Sequence, residues 1–182
     1  GFVLSEGGGV VVLAAEEMLS GYGLKPRAEV MGIGWTSDAY HFTLPNPQTI
    51  IRAIREAIDD AGLEPGDIQH VNAHGTSTPK GDATEIECLR TVFGRSLPMI
   101  PVTANKSQIG HTLGASAAIE AALGIEAMQQ GLLLPTVNHI LDPEFADIDV
   151  VPKRIRRYTY ELFLSNSFGF GGTNCCIVFR GV

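Results

Sequence analysis

The sequence predicts an α/β sandwich with buried helices. Three observations carry this: short apolar runs that read as buried strands, amphipathic segments between them, and glycine-rich loops where strands end. In chain order the segments run strand, strand, helix, strand, helix, strand, helix, strand, strand.

Residues 9–15 and 29–35 are apolar runs and read as buried strands, with a short turn or helix over 16–22 between them. Asn46-Pro47 supplies an N-cap and a proline at the first helical position, and Ile50, Ile54, Ala57, Ile58 and Ala61 then share one helical face. Gly62 stops that helix, and residues 67–73 form a short strand ending at His74. Asp82 and Glu85 are spaced as a capping box for a helix that buries Ile86, Leu89 and Val92 or Phe93 and ends at Gly94. Ile100, Val102 and Ala104 alternate as a strand, followed by a loop over 106–111. A helix over about 113–130 is rich in Ala and Gly nearly all round, which predicts burial on most sides. Strands over about 160–165 and 174–179 flank the last glycine loop and can pair as a hairpin.

A chain of 182 residues is long enough to bury one substantial core, and 45% apolar content with 21 Gly and no low-complexity run describes a folded protein. No segment reaches the roughly 18 apolar residues needed to span a bilayer, and the opening residues do not show a basic n-region followed by an apolar h-region. A cytoplasmic protein is expected. Cys88, Cys175 and Cys176 form no disulfide framework and suit a reducing compartment. The net charge of -7 argues against nucleic acid as the main partner, and the basic run at 153–157 reads either as a solvated turn or strand edge or as a local patch for an acidic partner. Gly1 opens in mid-motif, so a piece of a longer polypeptide is expected.

The chemistry gathers in three glycine-rich segments: Asn72-Ala-His-Gly-Thr-Ser-Thr-Pro79, Lys106-Ser-Gln-Ile-Gly-His111 and Asn166-Ser-Phe-Gly-Phe-Gly-Gly-Thr-Asn174. His74 and His111 follow strands, and strand ends at a sheet rim are where α/β proteins place chemistry. Two imidazoles there can converge on one carbonyl oxygen and hold negative charge on it. Lys106 and Glu120 flank His111 and can form an ion pair that orients its ring. His70 and His74 share the i, i+4 spacing of a helical zinc pair, but their segment reads as a strand with no intervening Glu, so metal is rejected. No G-x-S-x-G elbow is present, and the glycines of 169–172 miss the dinucleotide fingerprint.

These three segments, with Ser37-Asp-Ala-Tyr-His41 and Gly1-Phe-Val-Leu-Ser-Glu-Gly7, resemble the signature motifs of the β-ketoacyl-acyl-carrier-protein synthases, the condensing enzymes of fatty acid and polyketide synthesis. The likeness runs over essentially the whole chain in family order. It implies the thiolase fold, a layered α-β-α-β-α arrangement of two similar halves. Residues 1–45 would end the N-terminal half with its last strands, and 46–182 would form the C-terminal half. By match to the motifs, His74 and His111 would be the catalytic histidines and Lys106 with Glu120 their supporting pair. Thr76 and Thr78 would hold the phosphopantetheine arm of an acyl carrier protein. Phe168 would be the gating phenylalanine, with Gly169 and Phe170 beginning the backbone that turns around the thioester. No cofactor of the chain's own is implied.

The family's nucleophilic cysteine belongs to the half that would precede Gly1. Cys175 and Cys176 lie inside a predicted strand and Cys88 mid-helix, so they read as packing. The resemblance therefore implies a partner half bearing the cysteine, a homodimer of the full enzyme, and no condensation by these residues alone. Two other readings stand beside it: a non-catalytic subunit of the chain-length-factor kind, in which the histidines are often altered, and a thiolase-like enzyme acting on coenzyme A esters. Fatty acid and polyketide pathways are not distinguished, because the pocket residues that set chain length belong mainly to the other half.

Overall fold

Five strands build the central sheet in the computed structural model, which describes residues 1–140 and 142–182. After an irregular opening segment come helix α1 (Glu16–Tyr22) and strand β1 (Ala28–Ser37). Helix α2 (Pro47–Asp60) leads to β2 (His70–Asn72), and α3 (Pro79–Phe93) to β3 (Val102–Thr103). A single turn, α4 (Lys106–Ile109), precedes α5 (Ser116–Gln129). The ribbon of β4 (Leu132–Leu133) with β5 (Arg156–Arg157) and the hairpin of β6 (Leu162–Gly169) with β7 (Thr173–Gly181) complete the order.

The sheet runs β1-β7-β6-β2-β3. Strand β2 is parallel to β3 and β6, whereas β7 is antiparallel to both its neighbours. Alternation along each strand divides the core. Val71, Leu164, Cys176 and Val178 face α2 and α3, while Phe163 and Phe179 face α5. The same alternation puts His70 and Asn72 on the α5 side, so a polar stripe runs under that helix toward His74.

Helix α2 begins as the sequence predicts. The Asn46 side chain accepts from the Gln48 N–H, Pro47 takes the first position, and Ile50, Ala53, Ile54, Ala57 and Ile58 are buried at three- and four-residue spacing. It lies so close to β1 that a Cβ on Gly34 would overlap the carbonyl oxygen of Ala53. Gly34→Ala is expected to cost about 1–3 kcal/mol, read as a lower urea midpoint with an unchanged slope. An unchanged midpoint would contradict this packing.

Several local expectations are corrected. Residues 9–15 do not form a strand: no neighbouring strand lies beside them to complete a ladder, and Val10 and Val12 are each 88% exposed. The strands expected at 67–73 and 100–104 shorten to β2 and β3, because residues 65–67 coil into a 3-10 turn and the backbone leaves the ladder at Ala104. The expected loop at 106–111 begins with helical α4, ended by Gly110 at φ +73°. The helix expected from 113 opens with a 3-10 turn, and α5 itself starts at Ser116. Its small residues are buried on one side, where Gly124 meets the Phe163 ring, while Ala117, Ala122 and Glu126 lie on the exposed side.

The capping box is also corrected. Thr78 is the N-cap of α3 and Pro79 its first residue, so the helix starts one turn before Asp82, and Glu85 turns inward. Strand β1 is the edge strand of the same sheet as β2, β3, β6 and β7. The final hairpin forms as expected, with Phe170, Gly171 and Gly172 as its turn. Within the basic run, Arg156 lies in β5 and pairs with Asp149, and Lys153, Arg154 and Arg157 are exposed. No helix among the described residues is long and apolar enough to cross a membrane.

Candidate active site

His74 lies two residues beyond β2, and His111 follows the α4 turn, so the parallel pairing of β2 with β3 brings the two loops to one rim of the sheet. Their rings stand edge to face with centroids 5.8 Å apart. Both line a cavity of about 690 Å³, with Phe2, Thr76, Thr78, Ser116, Phe168, Gly169 and Phe170 among its walls.

His111 is held from several directions. Its backbone N–H donates to Val3 and its carbonyl accepts from Ser5, which ties the opening segment to this loop, and the Phe2 ring meets the imidazole edge to face at 5.0 Å. The Leu113 N–H donates to Nδ1 at 3.2 Å, and the Ser116 hydroxyl lies 3.1 Å from the same nitrogen. A backbone N–H can only donate, so Nδ1 carries the lone pair and Nε2 carries the hydrogen. Leu113 adopts φ +52° to aim that N–H, a backbone state that a residue with a branched side chain reaches only under tertiary constraint.

The His74 ring packs on Phe168 at 5.4 Å, and its Nδ1 is buried with no hydrogen-bond partner among the described residues. Its backbone is clamped by Glu85: Oε1 accepts from the His74 N–H and Oε2 from the Gly75 N–H, both at 2.9 Å. Asn166 Nδ2 donates to the same carboxyl at 3.0 Å, joining α3, β6 and the histidine loop. Burial raises the pKa of Glu85, opposed by these hydrogen bonds. Glu85 was missed in the sequence as a site residue. The available signal was its place at i with Cys88, Leu89 and Val92 at i+3, i+4 and i+7, a carboxylate on an apolar helical face.

Lys106 and Glu120 form the expected pair at 2.6 Å, with side chains 4% and 0% exposed. Asn72 Nδ2 donates to the other Glu120 oxygen at 3.3 Å and to the Ser165 hydroxyl at 3.2 Å. Burial pushes the Glu120 carboxyl up in pKa, opposed by Lys106. The lysine in turn acts on the histidines: the pKa of His74 is pushed down to about 3, first by burial, then by the Lys106 cation, then by His111. His111 is lowered by burial and then by Lys106.

His70 is a core residue instead. Its Nε2 lies 2.8 Å from the Thr103 hydroxyl, its ring packs on Tyr160, and burial lowers its pKa to about 3. His70 and His74 thus titrate below their unfolded value near 6.5, so as pH falls under 6.5 the unfolded chain takes up protons that the fold refuses, and stability declines. The Cε1–H resonances of both are expected to stay flat between pH 8 and 5. A midpoint near 6.5 for His74 would remove the neutral-imidazole description.

The remaining residues from the sequence fall as follows. Thr76 and Thr78 line the cavity with hydroxyls 3.0 Å apart. Phe168 is half-buried against the core and His74, whereas Phe170 is 56% exposed and stacks on Phe42 at 5.6 Å. Burial raises the Cys88 pKa to about 12, with Glu85 and Glu87 adding to it, and burial also raises those of Cys175 and Cys176. None of the three is an activated thiolate.

A mixed sheet with helices on both faces, its strand-end loops carrying His74 and His111 to one rim, is the architecture of one half of a thiolase fold. Residues 27–139 match the β-ketoacyl synthase C-terminal domain, and the chain belongs to that family. It is 41% identical over 183 residues to the 3-oxoacyl-[acyl-carrier-protein] synthase 2 of Staphylococcus aureus, covering 99% of this chain and 45% of that protein. Among solved structures it is similar to the ishigamide ketosynthase/chain length factor, with a TM-score of 0.94 and 37% identity over 100% of this chain and 45% of that one. It is also similar to a ketosynthase bound to the hexaketide in complex with a type II PKS acyl-carrier protein. There the TM-score is 0.87 and the identity 32%, over 92% of this chain and 42% of the other. The chain thus spans about half the length of the relatives it matches.

Proposed function

We propose that this chain is the C-terminal half of a β-ketoacyl-acyl-carrier-protein synthase, which joins an acyl thioester to a malonyl carrier thioester by decarboxylative Claisen condensation. The observation that carries the proposal is the pair of neutral, cavity-lining imidazoles, His74 and His111, 5.8 Å apart. A cysteine thiolate outside this chain takes the acyl group from its carrier, releasing the carrier thiol. Malonyl thioester then enters. As its carboxylate leaves as carbon dioxide, the electron pair of the breaking bond becomes an enolate whose oxygen accepts from His111 Nε2–H and His74 Nε2–H. The carbanion attacks the acyl carbonyl, the new carbon–carbon bond forms, and the cysteine thiolate departs.

Neutral donors suit this work. A permanent cation at either position would bind the malonyl carboxylate and oppose its loss, whereas imidazole stabilises oxygen charge as it develops. Lys106, paired with Glu120, stays behind the histidines and disfavours their protonation.

Thr76 and Thr78 offer paired hydroxyls to the phosphopantetheine arm. Phe168, near the end of β6, is wedged against His74, whereas Phe170 is exposed in the hairpin turn, so we give the gating role to Phe170. The acyl carrier protein is the substrate-delivering partner, in keeping with the solved ketosynthase complex, and the assembly is a cytoplasmic homodimer of the two-half enzyme. Retention of both histidines favours this reading over a non-catalytic chain-length subunit.

The test is carbon dioxide release from malonyl carrier protein by the full-length polypeptide that contains this chain. Release followed by a β-keto product with acyl donor is expected. No release by the full-length protein would overturn the proposal, as would condensation by residues 1–182 alone.

A further inference from the structure

We infer that His41 is a substrate-binding residue whose Nε2–H holds an amide carbonyl oxygen of the carrier arm at the mouth of the same cavity, an assignment that rests on the proposed function and deepens it. His41 lies in the turn that follows β1, and its ring lines the cavity together with those of His74 and His111. Its Nδ1 accepts two backbone N–H groups, from Thr43 and Leu44, each at 3.1 Å. Two donors aimed at one ring nitrogen require a lone pair there, which places the hydrogen on Nε2. That N–H has no protein partner among the described residues.

The turn is fixed in place by its own network. Asp38 donates its N–H to the Gly172 carbonyl at 2.8 Å, and its side chain accepts from the Asn46 N–H at 2.9 Å and from Asn174 Nδ2 at 2.7 Å. Gly171 donates its N–H to the Phe42 carbonyl at 2.8 Å. A Cβ on Gly172 would collide with the Asp38 side chain, so the glycine loop seats directly on this turn. His41 is therefore presented by a turn anchored to both the glycine loop and the start of α2. A single oriented donor that faces solvent at the mouth of a largely apolar cavity, with no acceptor among the described residues, fits one neutral carbonyl oxygen of a ligand that threads the opening. The amide groups of a pantetheine arm have that chemistry, and Thr76 and Thr78 line the same cavity.

The experiment uses the full-length protein and measures KM and kcat for malonyl carrier protein, with melting temperature alongside. In His41→Asn the side-chain oxygen still accepts from the Thr43 and Leu44 N–H groups, but the Nε2–H is gone. KM is expected to rise about tenfold, the effect of losing one hydrogen bond, with kcat and melting temperature unchanged. His41→Gln, which restores an N–H at similar reach, is expected to recover most of it. Malonyl ethanethiol ester, which has no amide carbonyl, is expected to react equally well with wild type and His41→Asn. Wild-type KM in His41→Asn would overturn the inference and leave the ring as a cap of its own turn. An equal loss on the ethanethiol ester would overturn the amide assignment. A wild-type protein that releases no carbon dioxide would overturn the underlying function, an outcome distinct from an active wild type indifferent to residue 41.

Discussion

Replacing His74 by alanine in the full-length polypeptide is expected to lower the rate of malonyl carrier decarboxylation about 100- to 1000-fold, the usual effect of deleting one preorganised donor to an oxyanion. With its pKa at about 3, His74 is a neutral donor at every working pH, and it lines the cavity beside His111. Its backbone is held by Glu85 independently of the ring, so the truncation leaves the loop in position and the melting temperature close to wild type. His74→Gln, which can return an N–H, is expected to recover part of the rate. Undiminished decarboxylation by His74→Ala would take the histidine out of the reaction, whatever its place in the cavity.

The largest effect on stability is expected from Lys106→Met. Removing one member of a buried ion pair leaves a charge with neither solvent nor partner, and costs about 3–5 kcal/mol. Glu120, fully buried, then retains the Asn72 amide as its one hydrogen-bond partner among the described residues. Its carboxyl, already raised in pKa by burial, rises further once the ammonium is gone. A carboxyl whose folded pKa exceeds its unfolded value binds its proton more tightly in the fold. The variant's deficit is therefore smallest at acidic pH and grows as pH rises past the ordinary carboxyl range. Urea denaturation at two pH values reads this directly. Lys106→Met/Glu120→Leu, with both charges removed, is expected to regain much of the loss, so the double-mutant cycle shows strong coupling. Equal stability of wild type and Lys106→Met would mean that Glu120 is already protonated and the pair is no ion pair.

How legible this was in the sequence depends on the range of the interaction. Helix α2 was readable because an N-cap, a proline and an apolar stripe all act within a few residues. The Lys106–Glu120 pair was readable because its members flank His111 and Glu120 sits among apolar neighbours. The spacing of Glu85 from Asp82 satisfies the local capping pattern, which hides its role at the site. Its true partners, His74, Gly75 and Asn166, arrive from β2 and β6. The apolar run at 9–15 has the composition of a strand, but a strand also needs a neighbour, and composition does not say whether one is present. Leu113 gave no signal at all, because its positive φ is imposed by the His111 loop it supports.

The α/β class, the long helices with their inward faces, the closing hairpin, and the glycine-flanked histidines with their lysine and glutamate are all written in periodicity, turn chemistry or motif, which are local. The closing of the sheet by β1 beside β7, the grip of Glu85 on the His74 loop, and the place of His41 on the same cavity as His74 and His111 come from the packing of segments distant in the chain. Those outcomes depend on which surfaces meet when parallel strands bring distant loops to one rim. Burial then converts the meeting into chemistry by holding both imidazoles neutral beside a buried ammonium.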